Sequence, residues 1–260
     1  MKTRTEYDSL GPVDVPADAL WGAQTQRSLH FFAIGEERFS AGFIDAFVTV
    51  KQAAARANRK LGKLAAAEQQ WIEAACIELK SGRYWQQFPL SVWQTGSGTQ
   101  TNMNVNEVIA HLANRLAGSE PGSKTPIHPN DHVNLSQSSN DVFPAVMHVA
   151  SLLAVRQQLL PALARLIGSL HEKQQQFAEH IKSGRTHLMD ATPVTLGQEF
   201  SAYAAQLQYG KAQIVEVLPQ LAKLALGGSA VGTGLNTHPQ WAATVTGCIS
   251  ELAGETFVPA

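Results

Sequence analysis

From Val142 to Ile181, apolar residues recur every seven positions in three parallel rows. Val142, Val149, Leu163, Leu170 and Phe177 form one row, broken by Arg156. Ala145, Leu152, Leu159 and Leu166 form a second. Val146, Leu153, Leu160, Ile167 and Ile181 form a third, broken by Gln174. Three rows make a broad stripe, the pattern of a helix buried in a bundle. At about 1.5 Å per residue such a helix reaches roughly 60 Å, too long for one compact domain to cover. A second stretch, from Gly197 to Leu226, repeats the pattern through Phe200, Leu207, Ile214 and Leu221. Pro161 is expected to bend the first helix and Pro219 to kink the second. Two helices cannot bury three rows each against one another, so their expected partners are other subunits or further chain.

Elsewhere, residue texture predicts helices over 44–61, 66–79, 103–116 and 240–252, punctuated by Ser81-Gly82 and Gly118. Residues 1–40, 83–98 and 118–140 read as turns and connections, as does the stretch from Ser183-Gly184 to Pro193. The alternation of strands and helices that marks a βαβ protein is missing. The expected class is mainly α. Twenty basic residues against 21 acidic ones leave a net charge of −1, with no basic face for a nucleic acid. The two cysteines, Cys76 and Cys248, are too few for a disulfide framework or an iron–sulfur cluster. No uninterrupted apolar run reaches about 18 residues, so no membrane span is expected. The first ten residues lack an apolar core or an Arg-rich texture, so a soluble cytoplasmic protein is expected.

Five segments can carry chemistry. Thr95-Gly96-Ser97-Gly98-Thr99 precedes a helix. It reads as a glycine turn with a cap, or as an anion site built from the Ser97 and Thr99 hydroxyls and free helix N–H groups. His128-Pro129-Asn130-Asp131-His132 reads as a polar turn, a small-anion site or a metal site. Pro129 disfavours the regular helix that would align His128 with His132 for a metal. In Ser136-Gln137-Ser138-Ser139-Asn140-Asp141, Asn140 or Asp141 is a natural N-cap with Pro144 in the first turn. Ser138, Ser139 and Asn140 can also hold a carboxylate at the positive end of the long helix. His187, in Gly184-Arg185-Thr186-His187, is surface decoration or a proton-transfer group. Gly227 to Gly234 is a mobile turn or an anion nest. Together these segments offer hydroxyls, amides and helix N-termini with one histidine, a site for a small carboxylate handled by proton transfer.

The same segments, Thr95–Asn106 (TGSGTQTNMNVN), His128–Asp131 (HPND), Ser136–Asp141 (SQSSND), Gly184–Pro193 (GRTHLMDATP) and Gly228–His238 (GSAVGTGLNTH), resemble the class II fumarases of the aspartase/fumarase superfamily. Leu20–Arg27 (LWGAQTQR) matches that family's opening. The resemblance implies a helical subunit whose N-terminal domain covers residues 1–137. Residues 138–260 would begin a central bundle that joins four subunits. It implies metal-free and cofactor-free hydration of fumarate to (S)-malate through a carbanion held as an aci-carboxylate. Ser97, Thr99, Ser138, Ser139, Asn140 and Thr186 would bind substrate, and His187 would be catalytic. His128, Asn130 and Asp131 would form a second dicarboxylate site.

Aspartases resemble the chain too, but usually carry Gln at the position of His187 and Thr at that of Ser139. Leu135 stands where Lys is common, which removes a charge near the site. The signature GSSxMPxKxNP, which carries the family's serine base with a Lys and an Asn, does not occur in the 260 residues. The sequence therefore reads as an N-terminal and partial central portion, without the C-terminal domain, and with little activity alone. The competing reading is a non-catalytic helical fragment that oligomerises.

Overall fold

The computed structural model describes residues 2–260. The chain divides into two compact units, one of residues up to Ala150 together with Ala222–Ala260, the other of Ser151–Leu221.

The first unit opens with an antiparallel hairpin, β1 (Thr3–Asp8) and β2 (Gly11–Pro16), closed by the pair Asp8 and Gly11. The turns expected over residues 1–40 thus include a paired hairpin, whose closing Gly11-Pro12 is the turn signal itself. Helix α1 (Ala23–Phe31) follows. Its first turn is capped from another helix: the Glu107 carboxylate accepts from the Gly22, Gln24 and Thr25 N–H groups at 2.8–3.1 Å. Helix α2 (Ala41–Lys60) is capped by Ser40 Oγ, which accepts from Phe43 N. Helix α3 (Ala66–Leu79) begins where Glu68 accepts from Ala65 N at 2.9 Å. The buried faces of α2, α3 and α4 (Thr99–Leu116) meet, and α8 (Trp241–Ala253) packs on α2 from the far end of the sequence. Small residues permit this approach: Ala53, Ala54, Ala57, Ala110 and Ala113 are fully buried. Strands β5 (Lys223–Leu224) and β6 (Val258–Pro259) pair in parallel beside it.

Helix α5 (Ser139–Ala154) passes through a π turn at Val155–Leu159 into α6 (Leu160–Gln176). This wider turn lies immediately before the start of α6, where Pro161 is the second residue. Proline lacks an N–H for the carbonyl four residues back, and its ring crowds that carbonyl. By length and composition alone, Ser139–Gln176 is one helix, among the described residues, that could cross a bilayer. Sequence reading counted uninterrupted apolar runs, and Arg156, Gln157, Gln158 and Arg165 interrupt this one.

The second unit pairs α6 with α7 (Leu196–Leu221) and carries a hairpin, β3 (Ile181–Thr186) and β4 (Met189–Thr195). The helix expected to run to Ile181 ends at Gln176, and the expected loop is this hairpin. The first N–H groups of α7 terminate α6: Gly197 N donates to Phe177 O at 2.9 Å and Leu196 N to His180 O at 2.8 Å. That approach requires glycine, because a Cβ at residue 197 would lie 2.6 Å from Gln174 O. Along α6 and α7, Ile167, Ala204 and Leu218 are buried. Leu166, Tyr203, Tyr209 and Val217 remain about half exposed or more. The rows are buried from Val142 to Leu152, whereas along α6 and α7 most row residues are only partly covered within one chain.

Candidate functional site

Two helix N-termini of the first unit are tied together by an aromatic cluster. Phe143, near the start of α5, lies 5.6–6.1 Å from the rings of Phe39, Phe43 and Phe47. The same ring covers Gly98, the N-cap of α4, at φ +65°, so closely that a Cβ there would overlap it. Gly98 therefore needs glycine twice, for its left-handed backbone and for the contact. Beside it, Ser97 Oγ lies 3.0 Å from Thr99 Oγ1 and 3.2 Å from Thr95 Oγ1. On the α5 side, Asn102 Nδ2 donates to Ser139 Oγ at 3.2 Å. The structure thus connects the two hydroxyl-bearing segments, Ser97–Thr99 and Ser138–Asn140, through α4.

Helix α5 is capped differently from the expectation. Ser138, not Asn140 or Asp141, is the cap residue: its Oγ accepts from Asn140 N at 3.3 Å, and Asp141 Oδ1 accepts from Ser138 N at 2.9 Å. The Ser138 hydroxyl thus caps the second N–H of the helix, while the Asp141 carboxylate reaches back to the cap residue's own N–H. Pro144 falls in the second turn rather than the first. Asp141, 2% exposed, has a second task. Its Oδ2 accepts from Gly227 N at 3.0 Å and Ser229 N at 2.8 Å. Asn140 Nδ2 donates to Ala230 O at 2.9 Å. The glycine-rich segment is therefore fastened to the start of α5, with its own N–H groups already engaged by a carboxylate. A cleft of about 690 Å³ opens beside it, lined by Gly227, Gly228, Gly232 and Thr237 among others.

His128 and Asn130 line a separate cavity of about 370 Å³ with Glu6, Asp8, Glu107, His111 and Lys124. Its carboxylates are each engaged: Glu6 by Arg4 at 2.6 Å, Asp8 by Arg27 at 2.8 Å, Glu107 by the α1 amides. Asp131 is largely exposed, and its backbone N donates to His128 Nδ1 at 3.2 Å. Burial, with Lys124 and His132 nearby, lowers the His128 pKa against the opposing pull of Asp131. Pro129–Val133 forms a π turn, so His128 and His132 do not share a regular α-helical face. Among the described residues, no three His, Cys, Asp or Glu side chains converge to hold a metal.

Thr186 and His187 belong to the second unit. His187 and Leu188 are the two exposed residues joining β3 to β4, at φ +51° and +63°. Two consecutive positive φ values in a two-residue hairpin define a type I′ turn, which Asn-Gly usually occupies. A histidine held there carries backbone strain of the kind concentrated at functional positions. The strands explain it: Thr186, Val194 and Thr195 are β-branched, and Arg185 and Asp190 sit in register and in ionic contact at 3.3 Å.

A sequence profile described as lyase matches residues 11–260. The chain belongs to the aspartase/fumarase superfamily of lyases. It is 56% identical over 255 residues to a class II fumarate hydratase of Thermosynechococcus vestitus, covering 98% of this chain and 55% of that protein. It is 55% identical to a class II fumarate hydratase of Pseudomonas aeruginosa, covering 99% of this chain and 56% of the relative. The crystal structure of the Schistosoma mansoni class II fumarase superposes with a TM-score of 0.96 at 39% identity, over 100% of this chain and 58% of that one. The chain thus spans about half the length of the curated relatives it matches.

Sequence reasoning missed the residues that lie behind the Ser139 hydroxyl. Lys51, Asn102, Asn106 and Asn134 form a buried polar group behind Ser139, and Gln137 joins it. The signal was present in α2: Phe47, Lys51, Ala54 and Asn58 occupy one buried stripe at helical spacing. A lysine in such a stripe calls for a paired or hydrogen-bonded partner.

Proposed function

We propose that the chain supplies one portion of a class II fumarase active site, in which fumarate and (S)-malate interconvert by addition and loss of water. The observation that carries this reading is the junction of Ser97 and Thr99 at the start of α4 with Ser138, Ser139 and Asn140 at the start of α5. Asn102 donates to Ser139 Oγ, which leaves the serine's own hydrogen for an incoming carboxylate. Each helix N-terminus adds partial positive charge. A dicarboxylate presents two such groups at a fixed separation.

In the direction of malate dehydration, a base takes the C3 proton and the electrons move into the adjacent carboxylate as an aci-carboxylate. They return to form the double bond as hydroxide leaves C2. His187, oriented with Thr186, donates the proton that turns the hydroxide into water. The serine base is assigned by resemblance to the GSSxMPxKxNP segment, which the 260 residues do not contain. Four copies joined through the central helices would cover the exposed rows of α6 and α7. His128, Asn130 and Asp131 would form the second dicarboxylate site, and the domain boundary would lie at 137/138. We place the protein in the cytoplasm, without cofactor, nucleic acid or membrane partner. Aspartase chemistry is disfavoured by His187 and Ser139.

The test mixes this chain with the remaining C-terminal portion of the Thermosynechococcus vestitus relative and follows fumarate absorbance. The chain alone is expected to show little turnover. The mixture should gain hydration activity, and His187→Ala should reduce it by roughly 10²–10⁴-fold. Ammonia release from aspartate, without malate dehydration, would overturn the assignment.

A further inference from the structure

We propose that Lys51 is the positioning residue of the carboxylate site, its buried amine holding the segment 134–139 so that the Ser139 hydroxyl is presented as a donor. The proposal rests on the reading of that site as a dicarboxylate site. Lys51 is fully buried on α2, yet its Nζ donates to Asn134 Oδ1 and to Gln137 Oε1, each at 2.9 Å. Asn134 Oδ1 also receives Asn102 Nδ2 and Asn106 Nδ2, each at 3.2 Å. Asn102 is the residue that donates to Ser139 Oγ. The amine therefore sets two residues of the segment directly and reaches the serine through a shared acceptor.

The group also runs short of donors. Asn102 Oδ1 and Asn106 Oδ1 are buried without a hydrogen-bond partner among the described residues. Gln137 spends its own amide on Val133 O and Leu135 O at 3.0 and 3.1 Å. Lysine offers up to three donors and no acceptor while protonated. Removing it takes from Gln137 Oε1 the donor it has and leaves a further acceptor in a site where unmade bonds are costly. Leu135 brings no charge to the segment, so the cation beside it comes from α2. Burial lowers the Lys51 pKa to about 7, with the Asp141 carboxylate and Cys76 drawing it up. Its proton is thus exchangeable at ordinary pH, which gives the proposal a readout that simple space-filling would not have.

The experiment follows the Asn134 and Gln137 side-chain amide resonances and the Ser139 backbone amide by NMR from pH 6 to 9, in the whole chain, with succinate as the probe. In wild type all three signals should titrate with one midpoint. Succinate should bind at least ten-fold more weakly at pH 9 than at pH 6. In Lys51→Met, the signals should be flat and binding weak at both pH values. If that variant does not fold by circular dichroism, Asn102→Ala decides: the Asn134 and Gln137 signals still titrate, and Ser139 no longer follows them. Wild-type succinate affinity in a folded Lys51→Met chain, or Ser139 still titrating in Asn102→Ala, overturns the proposal. Flat signals in wild type overturn it as well. Coupled titration without any succinate binding leaves Lys51 as the positioning residue and removes the dicarboxylate reading instead.

Discussion

Asp141 collects three backbone N–H groups from two distant stretches, Ser138 on one side and Gly227 and Ser229 on the other. Asp141→Ala leaves all three without their acceptor in a nearly dry site. The expected loss is about 3 kcal/mol or more, measured by urea unfolding. Gly98→Ala forces a left-handed alanine into the Phe143 ring, with an expected cost above about 2 kcal/mol on the same measurement. His111 sets a pH dependence. It is 6% exposed, its Nδ1 donates to Leu20 O at 2.9 Å, and its Nε2 has no hydrogen-bond partner among the described residues. Burial, with Arg4 and Lys124 adding to it, lowers its pKa despite Glu6. The unfolded chain therefore takes up this proton first, near pH 6.5. Stability is present above that value and is lost as pH falls below it. Unfolding free energy should decline from pH 7 to pH 5, and His111→Gln should flatten the decline. An unchanged slope in the variant would remove His111 as its source.

At the scale of elements, the β3–β4 turn carries a strained histidine where asparagine and glycine fit best. Replacing both residues, His187→Asn with Leu188→Gly, is expected to raise the melting temperature of the chain while abolishing hydration in the complemented enzyme. A variant that loses stability would contradict the strain. The hairpin was hidden in the sequence because its strands are mixed in polarity and its turn lacks the usual residues. The long helices were legible because the spacing of their apolar rows is set by the helical period alone. Both of their prolines were visible, but a π turn is a response of the backbone that residue types do not announce. The hydroxyl-bearing segments stand out in the sequence because serine, threonine and glycine cluster there, although Gly98 turns out to have a packing reason as well, its contact with Phe143. Lys51, Asn102 and Asn134 were not, because each lies in a different element and only the fold brings them together. The cap of α5 was misplaced by two or three residues, as several adjacent residues could all have capped it.

For the molecule as a whole, the exposed apolar side chains of α6 and α7 predict association. Leu166, Tyr203 and Val217 are 49%, 50% and 59% exposed, more apolar surface than an isolated helix pair leaves in water without consequence. Sedimentation should detect species larger than the 28.0 kDa chain. Leu166→Glu with Val217→Glu should shift them toward monomer and reduce hydrophobic-dye binding. A monomer that binds no dye would contradict this. The first unit is also discontinuous: the chain leaves it after Ala150 and returns at Ala222. Helix α2 ends at Lys60, and its packing partner α8 begins only at Trp241. On a ribosome adding about 5–20 residues per second, the surface of α2 that α8 covers waits tens of seconds for that helix. Nascent chain emerging in that interval offers a ready target for a chaperone, and slow codons between the two helices would lengthen the exposure.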